Sequence, residues 1–520
     1  MNTQNINPIT KLDYPDPDVI YFDGAYYMAS TTMYFMPGCE ILRSYDLVNW
    51  EHASFVYDRL DGTPSQKLQG KENIYGQGMW AASLRYNKGL FYICFVANDT
   101  HKTYIFTSAS IEGPWEKYTL EGFYHDNSIL FDDDGRVYIV YGNKNIFIKE
   151  LTISGEKLSD SDTHDTEKLI ISDADDAYLG YEGSHFYKIN GKYYIFLIHI
   201  PKSTGKRTES CFVSDSPFGP YTGKDVCDDD RNYRSSGVAQ GGIIKTPGGK
   251  WYSILFQDSG AVGRIPILIP VTWDGDFPVF GKNGIIPEAF DIEDLKPGYD
   301  YSPLISGDDF KCDYSAKATS SFGFKPCWQF NHEPDLSLVK RDFAKGAVTI
   351  TTDKLSSNLT QAKNTLTQRT LFPGCASSVL IDATNLKDGD YAGLCVLESC
   401  YGFIAITKRS GNYYLVMGKR DITSGGIFGE RHDDEPFDEM ECVKIDTPIV
   451  RLQADVEFDN DTAIFGYYEK MDNATPKKLG ITHKLQFKLD HFTGARFGLF
   501  IYSTETIGGS ASFADYKYLT

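Results

Sequence analysis

Along the first 260 residues the hydrophobic positions fall into five runs of one design: a glycine, then bulky residues with few polar interruptions. The runs are Gly24-Ala25-Tyr26-Tyr27-Met28, Gly89-Leu90-Phe91-Tyr92-Ile93, Gly135-Arg136-Val137-Tyr138-Ile139, Gly191-Lys192-Tyr193-Tyr194-Ile195 and Gly249-Lys250-Trp251-Tyr252-Ser253. Each predicts a tight turn, in which glycine takes a positive φ, leading into a strand buried on both faces. The glycines stand 65, 46, 56 and 58 residues apart, which leaves room for several strands per repeat. Five such units predict a five-bladed β-propeller. A second element recurs as Ser44-Tyr45-Asp46-Leu47-Val48-Asn49-Trp50, Ser110-Ile111-Glu112-Gly113-Pro114-Trp115 and Ser216-Pro217-Phe218-Gly219-Pro220-Tyr221. Each copy ends in an aromatic suited to packing between neighbouring blades.

Beyond residue 286 this design stops. Residues 287–307 are polar and turn-rich and read as a linker. From 308 to 520 a new series of strands begins, among them Ala347-Val348-Thr349-Ile350, Tyr413-Tyr414-Leu415-Val416-Met417 and Phe497-Gly498-Leu499-Phe500-Ile501-Tyr502. Regular strands separated by turns predict a lectin-like β-sandwich. The expected architecture is therefore all-β: propeller 1–286, linker 287–307, sandwich 308–520. Composition strengthens it, since 35 Tyr and 33 Phe against 8 Met suit pleated, half-buried surfaces.

Counting back eight or nine residues from each repeat glycine reaches Asp16, Trp80, Asp126, Glu182 and Gln240. A shared offset in five blades means a shared place, at the axial mouth beside the innermost strands. Three of the five are carboxylic acids, and like charges in one pocket resist joint ionisation. Such a cluster marks a functional site. It could begin a divalent-cation site, serve glycoside hydrolysis with one carboxyl as acid and one as base, or bind sugar without catalysis. No GxSxG, HExxH or phosphate-binding GKS/T element is present, which argues against a serine hydrolase, a zincin and a P-loop enzyme.

Charge narrows the partners. A formal net charge of −20 repels nucleic acid and anionic lipid, so a neutral or cationic ligand is favoured. No stretch reaches the roughly 18 apolar residues that span a bilayer, and Met1-Asn2-Thr3-Gln4-Asn5-Ile6-Asn7-Pro8 lacks the basic start and apolar core of a signal peptide. Ten scattered cysteines without a CxxC pair read as reduced thiols. The expectation is a soluble cytoplasmic protein that binds no membrane, with a homo-oligomer left open.

Tyr14-Pro15-Asp16-Pro17-Asp18-Val19, Asp23-Gly24-Ala25-Tyr26-Tyr27, Ser44-Tyr45-Asp46-Leu47-Val48-Asn49-Trp50, Tyr181-Glu182-Gly183 and Gly263-Arg264 together resemble glycoside hydrolase family 43. The resemblance runs in order through all five blades. It implies an inverting, exo-acting β-D-xylosidase or α-L-arabinofuranosidase acting on short plant-cell-wall oligosaccharides. It implies that Asp16 is the general base, Glu182 the general acid, and Asp126 the aspartate that orients the acid and raises its pKa. Arg264, Trp80, Gln240 and His125 take substrate-binding positions. No metal ligand or cofactor is required. Several members hold a calcium ion at the propeller centre through a histidine, and Gln240 in that place disfavours the ion here. His125 likewise replaces a common aromatic. Trp328-Gln329-Phe330-Asn331-His332 and Thr365-Leu366-Thr367-Gln368-Arg369-Thr370 resemble the sandwich of family 43 β-xylosidases, which leans on the propeller and lends a loop to the active-site rim. Two alternatives stand beside this reading. One is a non-catalytic carbohydrate-binding propeller. The other is a retaining fructosidase, although that would need Asn-Asp-Pro where this chain has Tyr14-Pro15-Asp16-Pro17.

Overall fold

All five repeat glycines take positive φ, between 81° and 94°, and each joins the first two strands of an antiparallel blade. The computed structural model describes residues 5–173, 176–315, 320–422, 425–429, 435–469 and 475–520, without the side chain of His164. The first blade comprises Asp18–Phe22, Ala25–Ser30, Gly38–Ser44 and Glu51–Tyr57, and the second Met79–Asn87, Leu90–Ala97, Lys102–Ser108 and Glu116–Leu120. The third is built on Ser128–Phe131, Val137–Asn143 and Asn145–Ser154, with two short strands paired to the last. Ala177–Ile189, Lys192–Pro201, Thr208–Ser214 and Thr222–Cys227 form the fourth. Val238–Lys245, Trp251–Asp258, Arg264–Asp274 and Phe277–Phe280 form the fifth.

The glycine-led runs are the second strands, and their burial explains their composition. Ala25–Ser30 is buried throughout, and Leu90–Ala97 is buried at all but its first residue. A strand covered by a blade on either side has no solvent face, so it reads as a continuous apolar run rather than an alternation. The first strands of the five blades touch one another in a closed ring around the axis. Residues near the N-terminus latch the ring: Asn7 exchanges two hydrogen bonds with the backbone of Leu268, at 2.7 and 2.8 Å. The aromatic that ends the first Ser-led turn, Trp50, packs in a core cluster shared with Tyr252 and Leu268 of the fifth blade.

The C-terminal half is a sandwich of two seven-stranded antiparallel sheets. It is joined to the propeller by a continuous seam. Met36 and Phe330 exchange backbone hydrogen bonds at 3.0 and 2.7 Å, and the Arg496 guanidinium lies 3.5 Å from the centre of the Phe35 ring. Arg369 donates to Glu40 at 2.7 Å and to the Asp13 carbonyl at 2.8 Å. One hydrophobic cluster runs from the first two blades into both sheets. Among the described residues helix is limited to short 3-10 turns, and no helix is long and apolar enough to cross a membrane.

Candidate active site

The five offset residues occupy irregular backbone. Asp16, Asp126 and Gln240 have φ of 53°, 45° and 59°. Strand register shifts between Trp80 and Ser83, between Glu182 and His185, and between Ala239 and Gly241. A regular strand alternates its side chains between faces; a bulge re-aims one of them, here at the axis. Left-handed backbone outside glycine is strained by about 1–3 kcal/mol and is concentrated at functional sites. Gly183, with φ of 66°, follows Glu182, and a Cβ there would meet Gln240 Cγ at 2.7 Å. The Glu-Gly element is thus also a packing requirement.

Below this layer Asp18 ties the blades together. It accepts from Arg85 at 2.6 Å and from the Leu84 backbone at 2.7 Å, and lies 3.3 Å from His185 Nδ1. Burial would raise the Asp18 pKa, but Arg85 and His185 outweigh it and lower it. His185 therefore belongs to this girdle.

At the mouth the carboxylates divide into two groups. On one side Arg264 Nη1 donates to the two oxygens of Asp16 at 3.1 and 3.4 Å. On the other, single ligand atoms of His125, Asp126 and Glu182 all lie within 4.8 Å of one another. His125 Nε2 is 3.6 Å from Glu182 Oε2 and 3.8 Å from Asp126 Oδ2. Asn143 donates to Glu182 Oε2. Burial pushes the Asp126 pKa up to about 7; His125 opposes the rise, while Glu182 and Asp16 add to it. Burial would lower His125, yet Asp126 and Glu182 raise it to about 9.

Four buried polar atoms around this mouth have no hydrogen-bond partner among the described residues: His125 Nε2, Asp126 Oδ1, Trp80 Nε1 and Arg264 Nε. Buried polar atoms are rarely left so, and these four leave hydrogen-bonding capacity unused at the mouth. Gln240 stands over the fourth blade, where its backbone N–H donates to buried Glu209 at 2.7 Å. Burial pushes the Glu209 pKa well above the usual range.

The sandwich closes one wall. Phe492, at φ of 58°, sets its ring 4.3 Å from the Arg264 guanidinium carbon and 5.5 Å from the Trp80 ring. Asp13 fixes the approach by accepting from the backbone N–H of both Arg264 and Gly494, at 2.8 and 2.9 Å. Trp80 also faces His125, with ring centres 5.8 Å apart. Tyr181, which precedes Glu182, packs against His199 and Phe212. The sequence reading had no signal for Asn143 or Phe492. A separate cleft of about 1080 Å³ between the N-terminal segment and residues 289–305 has Lys11 and Asp291 as its charged lining side chains and holds no comparable acid–base cluster.

Residues 6–278 match the family model described as Glycosyl hydrolases family 43, and residues 320–520 match the Beta xylosidase C-terminal Concanavalin A-like domain. The chain is similar to a β-xylosidase of Formosa agariphila, 26% identical over 97% of this chain and 88% of the relative. It is similar to the non-reducing end α-L-arabinofuranosidase BoGH43B of Bacteroides ovatus, 24% identical over 79% of this chain and 78% of the relative. Among solved structures it is similar to a bifunctional GH43-CE protein of Bacteroides eggerthii, with 37% identity and a TM-score of 0.87. That match covers 98% of this chain and 63% of the other, so this chain spans less than two thirds of that protein.

Proposed function

The chain belongs to glycosyl hydrolase family 43, and from its mouth we propose an inverting, exo-acting hydrolase that releases xylose or arabinose from the non-reducing ends of short plant-cell-wall oligosaccharides. The observation that carries this reading is the division of the carboxylates. Asp16 is held by Arg264, while Glu182 sits with Asp126 and His125 on blades not adjacent to that of Asp16. An inverting pair needs about 6.5–9.5 Å between its carboxyls for the attacking water, and opposite sides of a propeller mouth suit that gap.

Asp16 is the general base. It takes a proton from water as the water oxygen bonds to the anomeric carbon. Glu182 is the general acid. Asn143 holds Oε2, which leaves Oε1 to protonate the glycosidic oxygen as its bond to that carbon breaks. Asp126 orients the acid: its carbonyl accepts from the Ser184 N–H at 3.2 Å, two residues beyond Glu182. Arg264, Trp80, His125 and Gln240 surround the sugar. The names of the relatives support a pentose, and xylose and arabinofuranose offer one pocket closely similar hydroxyl patterns. Ten free cysteines support action in a reducing compartment, the cytoplasm, and the charge of −20 supports a neutral substrate over nucleic acid or membrane.

Proton NMR of fresh digests of xylobiose and an arabino-oligosaccharide tests the reading. First appearance of the inverted anomer is expected, and the faster substrate names the sugar. First appearance of the retained anomer would overturn the single displacement, and release from neither would favour a binding propeller.

A further inference from the structure

One cation at the mouth has no part in the chemistry described so far. Glu182 pairs across the fourth blade with Ile198, and Ile198 with Glu209, so the three form one row. Thr208–Ser214 runs away from the mouth. Arg207, two residues before Glu209, therefore stands about 6–7 Å nearer the opening than the row of the acid. Its guanidinium is fixed twice. Nε donates to Asp258, and the carbon lies 5.2 Å from the centre of the Phe256 ring, which carries Arg264 at 5.3 Å as well. Its two Nη nitrogens have no hydrogen-bond partner among the described residues. Burial lowers its pKa, but Asp258, Glu182 and Asp16 together raise it, which places it within the field of both reacting carboxylates.

We propose that Arg207 binds the sugar on the leaving-group side of the scissile bond, its two Nη nitrogens donating to neighbouring hydroxyls of a neutral residue. The inference rests on Glu182 being the acid, because the acid faces the leaving oxygen and Arg207 lies outward from it. A planar fork clamped at one edge presents two parallel donors with little rotamer freedom left to lose. Asp16, Glu182 and Asp258 around it oppose a negatively charged sugar.

The test compares Arg207→Met and Arg207→Lys with the wild-type chain on xylobiose and on an aryl xyloside, whose leaving group has no sugar hydroxyls. Hydrogen bonds to a charged group contribute about tenfold or more. In the Met variant kcat/KM for xylobiose should fall about tenfold further than for the aryl xyloside, chiefly through KM, and the Lys variant should recover part of the loss. Equal falls on both substrates, or no fall, would overturn the assignment. If Arg207→Met does not fold, Asp258→Asn, which keeps the guanidinium but removes its clamp, should show the same differential loss in smaller measure, and its absence would count equally against the proposal. Faster wild-type cleavage when that position carries a uronic acid would overturn the neutral class. Where the wild-type chain cleaves neither xyloside, the same variants are compared on an arabino-oligosaccharide and an aryl arabinofuranoside; a wild-type chain that cleaves none of the four would instead sink the reading of the site on which this one rests.

Discussion

Glu40 and Asp126 are carboxylates of the same propeller, exposed by only 2% and 5% of their surfaces, and their protonation behaviour is opposite. Glu40 lies at the seam with the sandwich. One oxygen accepts from Arg369 at 2.7 Å; the other lies 3.1 Å from His52 Nδ1 and accepts from Tyr14 at 3.4 Å. Burial would raise its pKa, but Arg369 and His52 outweigh burial and hold it at about 2. Asp126 lies at the mouth, pushed by burial to about 7 with His125 as the opposing charge, and its Oδ1 has no partner among the described residues. Depth is common to both; the supply of partners is not. A buried charge met on every side fastens structure, whereas one left half-met is available to a reaction.

The largest effect should come from removing the acid beside Asp126. In Glu182→Ala, hydrolysis of xylobiose should fall by roughly 10³-fold, within the usual range for general acid catalysis. An aryl glycoside whose leaving group needs no proton should lose far less. Steady-state kcat/KM on both substrates measures this, and equal losses would remove Glu182 from that role.

At the seam the comparison breaks through Arg369. Arg369→Leu leaves Glu40 buried without its principal cation, a change that costs about 3–5 kcal/mol. Calorimetry at neutral pH should show it as a lowered unfolding transition. The pH dependence has a definite sign. Glu40 titrates near 2 in the folded chain against 4.5 unfolded, so its stabilisation is complete above pH 4.5 and is lost as pH falls towards 2. The wild-type chain should lose this part of its stability on acidification across that window, and Arg369→Leu should lose much less. An unchanged acid response in the variant would mean that other groups hold Glu40.

These two residues also mark how far the sequence could be read. Asp126 was visible because the glycine turn and the mouth position lie on one short stretch of chain, repeated five times, so a fixed offset carried a fixed location. The positive φ and the bulges that re-aim these side chains lie within the same stretch. The Glu40–Arg369 pair spans 329 residues, and no periodicity along a strand reports a partner so distant. Asn143 reaches Glu182 from the second strand of the preceding blade. Phe492 reaches Arg264 from the other half of the molecule. Hydrophobic patterning tells which face of a strand is covered, not which side chain covers it, and so the rim of the site waited for the fold.

The smallest effect sharpens the comparison most, because it asks of Asp126 what the acid titration asks of Glu40. Asp126 titrates near 7 folded against 3.8 in its ordinary state. The folded chain therefore keeps an extra proton between those values, and stability declines as pH rises from about 4 to 7. Asn at this position has the same shape and no proton to lose. His125 opposes the difference, since its own raised pKa, about 9, reflects attraction to Asp126 and Glu182. The attraction to Asp126 operates only where Asp126 has lost its proton, towards pH 7 and above, and fades as pH rises through 9; Asp126→Asn removes it. The net gain of Asp126→Asn over wild type should thus be small, on the order of 1 kcal/mol, and greater at pH 8 than at pH 5. Activity should fall even as stability rises, the exchange expected when a strained site is relaxed. Thermal midpoints of both proteins at the two pH values measure the sign. A variant less stable than wild type at pH 8 would place Asp126 with Glu40, among the carboxylates whose partners are already in place.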